Sequence, residues 1–260
     1  MTFTGSTEVG KILIRQSADT VKKVSMELGG HAPFIVFEDA DIELAVDGVV
    51  SSKFASTGQQ CICANRIYVH DTIYDEFAKR FQEKVAKLKV GNGLDETNQI
   101  GSMANKSGIE KVEDQIADAV EKGAQILHGG HRLTDGALAN GHFYSPTLLV
   151  NVQDDMKICS EETFGPIAPL IRFNSEEEVI IKANNIEYGL ASYFYTNDVS
   201  RIYRVSEKLE YGMVGANDHS PFAVQAPFGG VKESGLGREG GFYGLDDYLE
   251  TKLVSVGIKL

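Results

Sequence analysis

Short apolar, β-rich runs alternate with amphipathic segments of helical period along most of this chain, and that alternation narrows its fold more than any other feature. Residues 34–37, 66–70 (RIYVH), 124–127 (AQIL), 192–196 (SYFYT) and 212–217 (GMVGAN) read as strands. Between them, Asp41 is a fitting N-cap for a helix carrying Ile42, Ala45, Val46, Val49 and Val50. Ile73, Phe77, Phe81, Val85 and Leu88 mark a second helix, and Ile109, Val112, Ile116 and Val120 a third. Ser175 followed by Glu178 is a capping-box signature for a further one. Strands alternating with helices predict an α/β fold with a largely parallel sheet. The opening is abrupt: residues 2–5 read as the end of a strand, with a helix from Thr7 to Gln16 directly after and a strand at Val24–Leu28. A doubly wound fold builds its ligand crevice from its first strand–turn–helix units, so this start reads as the last such unit of something larger.

Charge excludes several classes of partner. Thirty-seven acidic against 25 basic residues leave a formal charge of −12, which repels a nucleic-acid backbone or an anionic membrane, and no basic stripe reverses it locally. No apolar run is long enough to span a bilayer, and the first residues lack a secretory pattern. Three cysteines do not make a disulfide framework. The expectation is a cytoplasmic chain whose cysteines serve chemistry rather than scaffolding, with no nucleic-acid or membrane partner.

Five segments can carry chemistry. GSTEVGK (5–11) nearly fits a phosphate-cradling loop, but Ile12 stands where a metal-binding hydroxyl belongs and Glu8 places a carboxylate against the phosphates. The strand–Gly5-Ser6–helix junction still suits a pyrophosphate, an ordinary tight turn being the alternative. In STGQQCICANR (56–66), Cys61 lies in a polar loop able to expose a thiol and aim backbone amides at an oxyanion; the alternative is a small buried hydrophobe, which Cys63 fits better. The pair is also spaced for a redox switch if the loop bends, but is a poor zinc site without a second pair. In MELGGHAPFIV (26–36), Glu27 ends a strand between Met26 and Leu28, where partial desolvation raises a carboxyl toward a useful base; an outward-facing edge glutamate is the alternative. In CSEETFGPIAP (159–169), Pro166 and Pro169 stiffen a turn presenting Glu162 and Phe164, suited to a ribose diol and a nicotinamide face; an ordinary acidic loop is the alternative. QAPFGGVKESGLGREGG (225–241) is rich enough in glycine to let backbone approach a ligand closely.

Taken in order, FTGSTEVG, MELGGHAPFIV, GQQCICANR, EETFGP and APFGGVKESGLGRE resemble the aldehyde dehydrogenase superfamily from residue 2 to the C-terminus, over about the second half of a family chain. The CxC after GQ and the stretch SGLGREGGFYGLDDYLE are most similar to its succinate-semialdehyde branch. The resemblance implies a catalytic domain over residues 31–250, preceded at 1–30 by the tail end of a Rossmann-type cofactor domain. It also implies an intersubunit strand at 251–260 (TKLVSVGIKL) through which the chain would form a homo-oligomer. It implies Cys61 as the nucleophile and Glu27 as the base. Gly5, Ser6, Leu28, Glu162 and Phe164 would contact NAD or NADP, Phe228 and Asn217 would line the substrate pocket, and Glu239 would relay protons. Cys63 would be the partner of a redox switch. The substrate is then a small aldehyde, oxidised through a thiohemiacetal and a thioester on Cys61.

Departures from the family pattern shape the expectation. An arginine six residues before the nucleophile is here Ala55, and a serine four residues before PFGG is Ala223, so a substrate carboxylate loses its charge-assisted bonds. The first Rossmann units are absent from this sequence, so the chain by itself is expected to be inactive as a dehydrogenase. The alternative is a structural or oligomerising fragment with at most residual thiol-esterase activity.

Overall fold

The computed structural model describes residues 1–259. A seven-stranded sheet forms the centre, and its inner strands are buried on both faces, while the edge strands are partly open to solvent. The chain first forms β1 (Thr2–Thr4), α1 (Thr7–Ser17) and β2 (Ser25–Glu27), then β3 (Ala32–Val36), α2 (Ile42–Phe54), β4 (Ala64–His70) and α3 (Tyr74–Val85). It continues through α4 (Lys106–Glu121), β5 (Gln125–His128), β6 (Thr147–Val150), β7 (Ile167–Phe173) and α5 (Glu176–Asn184). β8 (Tyr188–Gly189), β9 (Ala191–Tyr195), α6 (Val199–Lys208), β10 (Met213–Ala216), β11 (Val231–Lys232) and β12 (Gly235–Leu236) complete it.

The central order is β10-β9-β3-β4-β7-β6-β5, parallel throughout except for the β5–β6 edge pair. Side-chain alternation along β3 sends Phe34 and Val36 into one core with α2 and α3, and Ile35 and Phe37 into a second with α4, α5 and α6. This is the α/β architecture the alternating pattern predicts. Asp41, Asn105, Ser175 and Asp198 each cap the following helix by accepting a backbone amide. Among the described residues no helix is long and apolar enough to cross a membrane.

Three local differences have physical causes. α3 ends at Val85 rather than running to Leu88; tight turns follow, with Leu88 N–H donating to the Val85 carbonyl, and still pack Leu88 against the core. Pro169, read as part of a rigid turn, sits inside β7. It is tolerated because β6 pairs only as far as Leu149↔Pro169 while β4 takes over at Ile67↔Leu170, so the missing N–H falls at the handover between ladders. The C-terminal stretch from Leu249 to Lys259 forms no regular element within a single chain, and Leu260 lies outside the described residues.

A small second sheet, β1-β2-β12, stands beside the large one. β1 and β2 are parallel; β12, from near the C-terminus, runs antiparallel to β2 and pairs Gly235 with Glu27. β2 is thus held on both sides, and Glu27 sits at its end.

Candidate active site

Five segments far apart in sequence wall one cavity of about 690 Å³. The β1–α1 junction supplies Gly5 and Ser6, the end of β2 supplies Glu27 and Leu28, and the loop before β4 supplies Cys61. Glu162 and Phe164 come from the loop before β7, and Phe228 from the glycine-rich segment. All seven residues singled out as catalytic or cofactor-binding therefore line the same space.

Cys61 is placed by a strained approach. α2 runs into a single turn of tighter helix, Ala55–Gly58, in which Ser56 and Thr57 adopt left-handed φ of 49° and 62° and Gly58 follows at 70°. Left-handed backbone costs non-glycine residues energy, so Ser56 and Thr57 in succession need support. Thr57 Oγ1 donates to the Gly101 carbonyl (3.2 Å), and Gln60 Nε2 donates to Ser56 Oγ (3.1 Å). Gly30 packs directly on the Cys61 carbonyl, where any Cβ would collide. The Gly30 amide donates to Glu162 Oε1 (3.1 Å), so one glycine ties the thiol loop to the Glu162 loop.

Burial pushes the Cys61 thiol up to about 11, helped by the Glu162 and Glu27 carboxylates. The resting side chain is a thiol, and it needs a base to react at neutral pH. Glu27 is 5% exposed, and its Oε2 has no hydrogen-bond partner. Burial first, then the Glu239 carboxylate, raise its pKa to about 8 against the pull of Arg238. Glu239 reaches this position because Phe228 and Glu239 exchange backbone hydrogen bonds (2.7 Å each). A carboxyl poised near neutrality, with a free lone pair, is suited to taking a proton from a thiol or a water. Burial also raises Glu162, opposed by the Gly30 amide and by Lys111.

The opposite wall is the start of α1. Ser6 caps it, accepting the Val9 amide, and Thr7 Oγ1 accepts the Gly29 amide (3.3 Å) on the cavity floor. Leu28 donates its amide to the Ser234 carbonyl (3.0 Å) and packs its side chain over Gly10 of α1. Phe164 lies at φ 50° with its ring partly exposed at the cavity edge.

One residue departs from the expectation, and Cys63 follows the buried-hydrophobe reading. Asn217 does not line the cavity; its side chain spends itself on the Thr196 backbone, accepting the amide (2.9 Å) and donating to the carbonyl (2.9 Å), which ties the end of β10 to β9. Cys63 is fully buried, with its Sγ donating to the Lys53 carbonyl (3.4 Å), and all three cysteines are free thiols. Lys111, Gln59, Gln60 and Phe222 line the cavity without having been singled out. Lys111 projects from the solvent side of α4, where nothing in the helical pattern separates it from a solubilising lysine. Among the described residues no group of three His, Cys, Asp or Glu side chains gathers as a metal site.

Comparisons with known proteins place the chain in a family. The family model described as "Aldehyde dehydrogenase family" matches residues 1–254. A 3-sulfolactaldehyde dehydrogenase of Pseudomonas putida is 56% identical over 255 residues, covering 98% of this chain and 52% of that protein. An NADP(+) succinate-semialdehyde dehydrogenase of Escherichia coli is 53% identical over 258 residues, covering 99% and 53%. A crystal structure of an E. coli NADP-dependent enzyme superposes with a TM-score of 0.96 at 52% identity, over 99% of this chain and 53% of that one. The chain thus spans about half the length of the relatives it matches, and it belongs to the aldehyde dehydrogenase family of oxidoreductases.

Proposed function

We propose that this chain carries the catalytic portion of an NAD(P)-dependent aldehyde dehydrogenase, with Cys61 as nucleophile and Glu27 as base. The observation that carries the reading is the convergence of Cys61 and Glu27, from separate loops and strands, on one cavity. Residues 31–250 would form the catalytic domain and 1–30 the last unit of the cofactor domain. The exposed tail, with Leu253, Val254, Val256 and Ile258 open to solvent in the single chain, would serve as the strand of a homo-oligomer.

In this reading the Cys61 sulfur adds to the aldehyde carbon as its proton leaves, giving a thiohemiacetal. The residues present fit the reactive end of a nicotinamide cofactor. The cavity has apolar walls at Leu28 and Phe164, a buried carboxylate at Glu162 to hold a ribose diol, and the start of α1 to face a phosphate. When bound, the cofactor supplies the hydride acceptor that turns the thiohemiacetal into a thioester. Glu27, with its unpartnered oxygen, then draws a proton from the water that hydrolyses the thioester. Two relatives carry NADP in their descriptions, which supports a phosphorylated dinucleotide as the first cofactor to try.

Acyl transfer to Cys61 and its hydrolysis need no cofactor, so an activated ester tests the two residues in the chain as it is. Wild-type chain is expected to release p-nitrophenol from p-nitrophenyl acetate with a burst of one equivalent. Cys61→Ala abolishes the burst. Glu27→Gln keeps it but slows turnover about 10²-fold or more. Equal rates for wild type and Cys61→Ala would refute the assignment. The chain with an aldehyde and NAD(P)⁺, but without the other half of a family protein, is expected to give no reduced cofactor.

A further inference from the structure

The dipeptide Asn-Gly occurs twice, at Asn92-Gly93 and at Asn140-Gly141, and both asparagines are exposed. Glycine leaves the nitrogen that follows the asparagine unshielded, so that nitrogen can reach the asparagine's own side-chain carbon and close a ring. The fold treats the two sites differently. In the loop between α3 and α4, the Gly93 amide makes no hydrogen bond with any described residue, and a Cβ built on Gly93 meets nothing within 4 Å. At the other site the Gly141 amide donates to the Leu138 carbonyl (3.1 Å). The Phe143 ring also crowds Gly141, where a Cβ would collide with it.

The surroundings of Asn92 favour ring closure further. Its side-chain Oδ1 accepts the Leu94 amide (3.0 Å), which aims a donor at the oxygen that turns negative when a nitrogen adds to the neighbouring carbon. Its backbone carbonyl accepts the Asp95 amide (3.0 Å) and Asn98 Nδ2 (3.1 Å), so the residue is held while the glycine nitrogen stays free. The charged side chains of this loop are Lys87, Lys89, Asp95 and Glu96, which cancel, so no net charge within it opposes an oxyanion. Asp95 Oδ1 is itself occupied by the amide (3.0 Å) and the hydroxyl (2.8 Å) of Thr97.

We propose that Asn92 is a site of spontaneous deamidation in the folded chain, and that its isoaspartyl product is a substrate for carboxyl methyltransferases that act on isoaspartate in proteins. The Gly93 nitrogen gives its proton to water and bonds to the Asn92 side-chain carbon. The carbon–nitrogen bond of the side-chain amide then breaks, and ammonia leaves with a proton taken back from water. Water opens the resulting succinimide at either carbonyl, giving aspartate or isoaspartate. No oxidant or reductant enters, and either product makes the formal charge of −12 one unit more negative. Isoaspartate also runs the backbone through an extra carbon, in a loop closed by the Gly91 amide on the Ile100 carbonyl (2.9 Å).

The test ages the intact chain at mildly alkaline pH and locates the amide-to-acid mass gain by peptide mass spectrometry. Asn92 is expected to convert about fivefold or more faster than Asn140, the factor that separates a free amide from one engaged in a hydrogen bond. In guanidinium chloride, where both sites lose their surroundings, the two rates are expected to converge. Gly93→Ala, whose methyl group enters open space, is expected to leave Tm unchanged and to slow conversion at Asn92 severalfold. The aged peptide that carries residue 92 is expected to take a methyl group from S-adenosylmethionine when an isoaspartate methyltransferase is added. Equal rates at the two sites in the folded chain, or one ratio both folded and unfolded, would overturn the inference. So would a converted peptide that accepts no methyl group, because direct hydrolysis of the side chain bypasses the ring.

Discussion

The α-carbon of Gly30 rests against the carbonyl oxygen of Cys61, and the amide of the same glycine donates to Glu162. One residue without a side chain therefore sets the distance between the thiol loop and the carboxylate opposite. Gly30→Ala puts a methyl group into backbone that cannot retreat freely, since the Cys61 loop is already held in left-handed turns. The expected outcome is a loss of Cys61 acylation by p-nitrophenyl acetate of tenfold or more, with a fall in Tm of a few degrees. Unchanged acylation would show that the thiol loop adapts.

Glu27 titrates near 8 in the fold, against an ordinary value of 4.5, because burial and Glu239 disfavour its charge. Its proton is held more tightly folded than unfolded. The stabilising contribution of the neutral form is complete below about 4.5 and is lost as pH rises through about 8. Glu27→Gln stays neutral at every pH. The variant is expected to melt close to wild type at pH 5 and above it at pH 9. In the ester assay, wild-type deacylation rises between pH 7 and 9 while the variant's stays flat in that window. A wild-type profile without that rise would remove Glu27 from the base role.

Gly58 has φ of 70°, and a Cβ there would collide with the backbone carbonyl of Gly165. Gly58→Ala therefore meets both the left-handed penalty and a rigid neighbour, at a cost of about 1–3 kcal/mol. Chemical denaturation is expected to show that loss with the m-value unchanged. The same variant is expected to slow acylation of Cys61, because Gly58 and Cys61 belong to one loop.

Arg66 is buried without a carboxylate partner. Its guanidinium donates to the carbonyls of His31 (3.0 Å), Lys182 (3.1 Å) and Ala183 (3.1 Å) and to the Tyr211 hydroxyl (2.8 Å), stitching the segment after the Gly29-Gly30 turn to the end of α5. Arg66→Met keeps the volume but orphans several buried carbonyls, each costing about 1–3 kcal/mol. The expected result is a drop in Tm of more than 5 °C, or loss of soluble protein, with Arg66→Lys intermediate. A Tm within a degree of wild type would mean that water replaces the guanidinium without penalty.

Much of this architecture could be read from residue types alone, because buried parallel strands and capped amphipathic helices leave separate signatures. β3 is an unbroken apolar run and β4 holds a shorter one at Ile67, Tyr68 and Val69, while Asp41 and Ser175 mark helix starts by side-chain chemistry. β7 was hidden because a proline inside a strand is ordinarily forbidden, and only the handover between neighbouring ladders makes it harmless. The cysteine loop, the apolar-flanked Glu27 and the Gly5-Ser6 junction stood out by their settings, Leu28 only through the family resemblance; the fold adds that all seven residues line one cavity. Asn217 misled because a polar side chain at a strand end serves the backbone as readily as a ligand. Lys111 was invisible because its place in the cavity wall depends on which surfaces face one another, and periodicity does not encode that.

The strand that ends in Glu27 is closed on its free side by β12, contributed by residues near the far end of the chain. On a ribosome, the strand that ends in Glu27 would therefore wait, one edge bare, until Gly235 and Leu236 have left the exit tunnel. Whatever the large sheet achieves in the meantime, the carboxyl proposed here as the base is among the last parts to be set in place. A nascent chain cut short before that point would carry its thiol without a finished partner for it.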